Sequence, residues 1–291
     1  MKRFQGVITA LVTPFLNGEI DEKAFIQLIE SQIANGIQGI VPVGTTGESP
    51  TLSNEEHLRV IELAVQTAKG RIPVIAGTGS NSTQEAIDLT QAAEKLGANG
   101  ALLVAPYYNR PTQAGLLAHF SEIANATKLP LILYSIPGRC GVEVAVETVA
   151  QLAKMHPNIV AIKEAGGQSD RVSQLRQLLP ESFDILCGDD SLFLSFMAVG
   201  AVGVISVASH IVPKEIIQMM LTFQSGKIAE AEKMHRALYP IFKDLFIESN
   251  PAPVKAALAR KGLMSSEVRL PLVPLQPENQ DKLFKSLDRL Q

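Results

Sequence analysis

Eight short β-rich apolar runs alternate with longer amphipathic segments, and no glycine-rich dinucleotide fingerprint follows the first run. These observations predict an α/β chain folded as a closed (β/α)8 barrel, the TIM-barrel architecture, with a C-terminal helical appendage. The runs cover residues 6–12, 39–43, 73–77, 100–105, 130–135, 159–164, 184–188 and 202–206. Their starts lie at the spacing that a strand, loop, helix and return loop require, only the last gap being tight. Parallel strands need long crossovers and are buried on both faces, so near-continuous apolar runs at this spacing imply a parallel sheet covered by helices. A doubly wound open sheet is the alternative. Against it, Val12-Thr13-Pro14-Phe15 follows the first run, where such a sheet carries GxGxxG.

The segments between the runs carry helix signals in turn. Asp21 heads a segment with Phe25, Leu28, Ile29 and Ile33 on one side, and Asn35-Gly36 closes it. Ser53 to Glu56 and Ser82 to Glu85 both fit the capping box, in which serine hydroxyl and glutamate side chain satisfy free backbone donors reciprocally. Gly70 and Gly97 sit where helix C-caps belong. Residues 213–223 read as the last barrel helix, which divides the chain into a barrel over 1–224 and an appendage over 225–291. The appendage reads as helical at 227–248, 251–261 and 278–290. Its apolar positions Met234, Leu238, Ile241, Phe242, Leu245 and Phe246 call for burial against the barrel or another subunit.

Composition excludes several functional classes. At 46% hydrophobic and 19% charged residues the 291-residue chain is globular and rather apolar. Its 26 basic and 29 acidic residues include no block long enough to track a phosphate backbone, so nucleic acid is not expected as a partner. No apolar run reaches the roughly 18 residues of a membrane span, and the start, Met1 to Gly6, lacks the pattern of a secretory signal. Cys140 and Cys187 form no CxxC pair, and the cytoplasm is the expected compartment.

Barrel chemistry sits at the C-terminal ends of the strands, and the groups delivered there converge. The sixth run ends in Lys163-Glu164, which places an amine at the lip of a buried strand. A lysine held against apolar surface loses hydration, its pKa falls, and the neutral amine can form a Schiff base with a carbonyl. After the second run, Val43-Gly44-Thr45-Thr46-Gly47-Glu48-Ser49 offers backbone N–H groups and two threonine hydroxyls suited to a small carboxylate. Tyr107, Tyr108 and Tyr134 all stand at strand exits, where a phenol near a lysine can relay protons. Arg139 could clamp a second carboxylate, or stand as an ordinary surface arginine. Asp189 and Asp190 follow the seventh run, where a helix cap favours acidic residues over a metal pair. The five histidines show no ligand spacing, and no metal is expected.

Taken together, Leu11 to Phe15, Val43 to Ser49, Val74 to Gly79, Pro106 to Pro111, Tyr134 to Arg139, Ile162 to Ala165, Gly188 to Asp190 and Glu248 to Pro251 resemble the dihydrodipicolinate synthase and N-acetylneuraminate lyase family. Its members are class I, Schiff-base-forming (β/α)8 enzymes, and the likeness spans essentially the whole chain. It is nearest to members that condense pyruvate with L-aspartate-4-semialdehyde on the way to lysine. The resemblance implies that Lys163 forms the pyruvate imine, that Thr45 and Thr46 help hold the keto acid, and that Gly188 and Ile205 complete the pocket. It implies a proton relay of Tyr134, Thr45 and Tyr108, with Tyr108 supplied by a neighbouring subunit of a homotetramer, and no metal or organic cofactor. Arg139 would bind the semialdehyde carboxylate. Ser49, His57, Asn81, Glu85 and Tyr107 match positions at which some relatives bind lysine as a feedback inhibitor. Ser135, Cys140, Gly166 and His210 depart from the usual residues. Another pyruvate aldolase of the family, or a catalytically silent keto-acid sensor, are the rival readings; Arg139 disfavours the first and the presence of Lys163, Tyr134 and Tyr108 the second.

Overall fold

The computed structural model describes residues 4–290, so Met1 to Arg3 and Gln291, which fall within the expected domain bounds, lie outside the described residues. Eight strands form one sheet: β1 (Gly6–Ala10), β2 (Gly39–Val41), β3 (Ile75–Gly77), β4 (Gly100–Val104), β5 (Leu131–Ser135), β6 (Ile159–Glu164), β7 (Asp184–Cys187) and β8 (Gly203–Ser206). Their order is β2-β1-β8-β7-β6-β5-β4-β3, every pair parallel. A parallel bridge between Ile40 and Val74, with Ile40 N–H donating to the Pro73 carbonyl at 3.0 Å and Gly77 N–H to that of Pro42 at 3.1 Å, joins β2 to β3. The ring is therefore closed, and the open-sheet alternative falls.

Several runs are longer in sequence than the strands they form. The extra residues still bond across the barrel, as where Ala105 N–H reaches the Tyr134 carbonyl at 2.9 Å and Gly188 N–H that of Glu164 at 2.8 Å. They then leave the ladder to build loops; Val43 turns out of it at a φ of 51°.

Side chains alternate between two apolar layers because a strand repeats every two residues. On β5, Leu131 and Leu133 face the helices while Ile132 and Tyr134 face the barrel interior. On β6, Ile162 joins the outer layer and Ala161 the inner one, so Lys163 turns inward and Glu164 outward. Phe4 closes the bottom of the interior, against Gly100, where a Cβ would come within 2.7 Å of the ring.

The barrel helices are α1 (Glu22–Ala34), α2 (Asn54–Ala68), α3 (Thr83–Lys95), α4 (Gln113–Asn125), α5 (Val146–Met155), α6 (Asp170–Leu178), α7 (Phe193–Ala198) and α8 (Pro213–Gln224). The α2 capping box forms as expected between Ser53 and Glu56. At α3 only half of it does. Ser82 accepts from Glu85 N–H, but the Glu85 carboxylate takes the Ser80 hydroxyl, and Ser80 in turn accepts the Ser82 N–H at 3.1 Å. A two-strand hairpin, Phe15–Leu16 with Glu19–Ile20, turns through Asn17 and Gly18 at φ values of 56° and 85°. It escaped the sequence reading although Asn-Gly is the residue pair such a turn favours.

The appendage consists of α9 (Ile228–Asp244), α10 (Ala252–Arg260) and α11 (Pro277–Asp288). Leu238, Ile241, Phe242 and Leu245 are buried as expected, in one apolar cluster with the barrel's outer layer, and Met234 packs against it. Phe246 is instead 40% exposed, because α9 ends at Asp244 and the chain leaves the helical register at Leu245.

Two buried histidines hold distant segments together in neutral form. His210 Nδ1 donates to the Val207 carbonyl at 2.8 Å and its Nε2 accepts Val12 N–H at 3.3 Å, linking the exits of β8 and β1. Burial pushes His210 and His119 down to about 4. A lowered imidazole value means that the unfolded chain takes up these protons first, so the stability is complete above about 6.5 and is lost as pH falls toward 4. Thermal melts of the wild type at pH 7 and pH 5 should therefore differ more than those of His210→Asn, by on the order of 2 kcal/mol at pH 5. An unchanged difference would remove His210 from the acid response.

Candidate active site

The inward turn of β6 places Lys163 beside Tyr134 of β5, its partner in the strand register. Lys163 is 7% exposed, and its Nζ lies 4.3 Å from the centre of the Tyr134 ring. Burial lowers its pKa to about 8, against the opposing pull of Asp190 and Cys187, while Arg139 lowers it further. About a tenth of such an amine is neutral at pH 7, against a few parts in ten thousand for an ordinary lysine. Gly188, at the end of β7, makes room for the lysine stem: a Cβ there would sit 2.6 Å from the Ala165 Cβ and 3.1 Å from the Lys163 Cε.

Tyr134 is buried, and that burial raises its phenol above the ordinary value, with Arg139 and a hydrogen bond to the Thr45 side chain opposing the rise. Thr45, Tyr134, Arg139, Cys140, Ser49 and Tyr107 line a cavity of about 230 Å³ at the mouth of the barrel. Ile205 belongs to the inner layer below it, with Tyr134 and Leu186. Thr46 is buried but turned toward the appendage, its hydroxyl accepting from Asn250 Nδ2 at 2.9 Å. Tyr108 stands apart from this group, 90% exposed at a φ of 71°.

Of the five positions matched to a feedback site, two line the same cavity and three lie behind its lining. Ser49 and Tyr107 line it, and Asn81 Nδ2 donates to the Tyr107 carbonyl at 3.2 Å. His57 Nε2 lies 2.9 Å from the carbonyl of Gly77, another lining residue. Burial lowers the His57 pKa, and the nearby Glu85 carboxylate works against that shift.

The acidic pair after β7 is structural. Asp189 accepts Ser191 N–H at 2.8 Å, and the buried Asp190 accepts the Ser206 hydroxyl at 2.5 Å and the N–H groups of Val207 and Ala208 at 3.0 Å. One support escaped the sequence reading. Glu164, facing outward, accepts Arg171 Nε at 2.7 Å, and Arg171 also bonds the Val144 carbonyl and pairs with Glu143 at 3.2 Å. The end of β6 is thereby tied to the stretch that follows the short helix Pro137–Cys140, which carries Arg139. Outward alternation next to Lys163 was the only signal for Glu164; its partner could not be read from spacing.

A desolvated amine, a phenol and a carboxylate-sized cavity at the C-terminal mouth of a (β/α)8 barrel define an enzyme of the lyase class. Comparison with known proteins narrows this. A family model described as the dihydrodipicolinate synthetase family matches residues 3–290. A 4-hydroxy-tetrahydrodipicolinate synthase of Geotalea daltonii is 54% identical over 281 residues, which is 97% of each chain. The structure of the 4-hydroxy-tetrahydrodipicolinate synthase of Methylacidiphilum fumariolicum superposes with a TM-score of 0.97 at 57% identity, covering 99% of this chain and 96% of that one. A DHDPS of Cyanidioschyzon merolae with lysine bound superposes at 0.96 with 42% identity, covering 98% of each chain. The chain belongs to the dihydrodipicolinate synthetase family.

Gly188→Ala tests the packing of the lysine stem. The new methyl group must displace Ala165 or Lys163, and a loss of about 1–3 kcal/mol in thermal or urea unfolding is expected. Gly138→Ala, whose Cβ meets nothing within 4 Å, serves as the neutral control.

Proposed function

We propose that the chain condenses pyruvate with L-aspartate-4-semialdehyde to give 4-hydroxy-tetrahydrodipicolinate, the function named for its relatives, and that Lys163 is the nucleophile. The observation that carries this reading is the buried Lys163 amine facing Tyr134 at the barrel mouth. The neutral amine adds to the pyruvate ketone and water leaves, giving a protonated imine. That cation is the electron sink: a methyl proton departs, the resulting enamine carbon attacks the aldehyde, and the substrate's own amine displaces Lys163 as the ring closes. An amine that supplies its own electron sink needs no metal or organic cofactor.

Tyr134 and Thr45, which line the cavity together, carry protons to and from the departing oxygen. Backbone groups of the loop at Thr45 and Thr46 hold the keto-acid carboxylate, the Thr46 hydroxyl being engaged by Asn250, and Gly188 and Ile205 shape the floor. Arg139, at the cavity rim, binds the semialdehyde carboxylate through its guanidinium fork. The 90% exposure of Tyr108 fits a phenol that completes the relay in a neighbouring subunit of a homotetramer, and the reaction belongs in the cytoplasm. The placement of Ser49 and Tyr107 in the cavity lining, with Asn81, His57 and Glu85 behind them, supports feedback binding of lysine beside it, the Glu85 carboxylate pairing with its amino group.

Borohydride added with pyruvate should leave a reduced adduct on Lys163, forming faster as pH rises through about 8 and absent from Lys163→Ala. The same variant should lose roughly a thousandfold or more in rate with aspartate semialdehyde. Modification elsewhere, or none, would reject the mechanism.

Millimolar lysine should lower the steady-state rate of the wild type, and Glu85→Gln should raise the lysine concentration required. A rate flat across that range removes the feedback reading.

A further inference from the structure

A second lysine is as deeply buried as the first and takes no part in the chemistry above. Lys255, on α10, is 0% exposed, ion-pairs with the buried Glu48 carboxylate, and lies 4.1 Å from the centre of the Phe15 ring. Its Nζ also donates to the Glu267 carbonyl at 2.8 Å. Glu48 belongs to the 43–49 loop that carries Thr45 and Thr46, yet neither Glu48 nor Lys255 lines the cavity.

Three more contacts run from the appendage to the same loop and its continuation. Asn250 Nδ2 donates to the Thr46 hydroxyl at 2.9 Å, Arg269 N–H donates to Glu48 Oε2 at 3.0 Å, and Arg269 Nη1 to the Thr51 carbonyl at 3.0 Å. The loop needs holding. Val43 and Glu48 both sit in the left-handed region, at φ values of 51° and 55°, which a β-branched or long side chain enters only when its surroundings dictate it. Within the loop, bonds from Gly47 N–H to Gly44 and from Glu48 N–H to Thr45 tighten the turn. They do not fix its tilt over the barrel mouth.

We propose that Lys255 and Asn250 are positioning residues for the active-site loop: through Glu48 and Thr46 they set the tilt that brings the Thr45 hydroxyl against Tyr134. A buried ion pair adds little net stability over an apolar pair of the same size, but it admits one geometry. Here the geometry it admits is that of the loop. The proposal rests on the imine chemistry proposed for Lys163, and it extends the functional site into the helical appendage.

The test uses full-length protein with three variants. Lys255→Met combined with Glu48→Gln removes the pair without stranding a charge; Asn250→Ala removes only the Thr46 contact; Leu283→Ala opens a cavity in α11, away from the loop. For each, kcat at saturating substrates, the rate of borohydride-trapped pyruvate adduct on Lys163, and Tm are measured. The paired variant should lose at least tenfold in kcat, with adduct formation slowed in step. Asn250→Ala should lose about threefold or more, and it decides the matter alone if the paired variant does not fold. Leu283→Ala should stay within twofold whatever its Tm. Loop variants within twofold of wild type, or an equal loss in Leu283→Ala, overturn the positioning role. Absence of the adduct in the wild type overturns the imine mechanism instead.

Discussion

The rest of this structure depends on the two-residue repeat of β6 inside a closed barrel. Because Ala161 faces inward, Lys163 must also, and the low-dielectric interior strips its ammonium of water. Because Glu164 then faces outward, the same strand end delivers a carboxylate to the helix layer, where Arg171 meets it. Burial raises the Glu164 pKa, and the contacts with Arg171 and Gly166 N–H counter that rise. One strand terminus thus presents a base-like amine on one side and an anchored carboxylate on the other, and neither could move without the other.

How much of this the sequence made legible follows from the range of each interaction. The strands and most helices were readable because their signals are local: Ser53 and Glu56 lie one helical turn apart, and both ends of their cap form. Ser82 and Glu85 carry the same pattern, but Ser80 intercepts the carboxylate, a competition that the four-residue motif does not contain. Phe246 follows the apolar stripe of α9 in sequence and leaves it in space, since the helix stops two residues earlier. Lys163, Tyr134, Thr45 and Arg139 were nominated by standing at strand exits, and the barrel brings them to one mouth. Lys255 and Glu48 gave no such hint. A lysine in an amphipathic helix reads as a solvated residue, and nothing periodic records that its partner lies across the fold.

Carbonyl chemistry at a lysine places its demands on solvation. Three buried groups near the mouth are shifted by the same cause in different senses: Lys163 downward, Tyr134 and Cys187 upward. Each shift favours the neutral form, so desolvation enlarges the fraction of Lys163 that is a free amine beside a neutral phenol, and Arg139 rims the pocket.

The hairpin at Asn17 and Gly18 bears on how the molecule is put together. Both N–H groups donate to the Glu267 carboxylate, at 2.9 and 2.7 Å, and the Gly18 carbonyl accepts from Arg269 at 2.7 Å. The hairpin therefore waits for partners about 250 residues further along the chain. A nascent chain can pair all eight strands while this corner is still unpartnered, and contacts of such sequence separation form late because loop closure precedes their reward. Synthesis itself acts as a clock: the strands are available for pairing before the appendage is there to tie down the hairpin and the 43–49 loop.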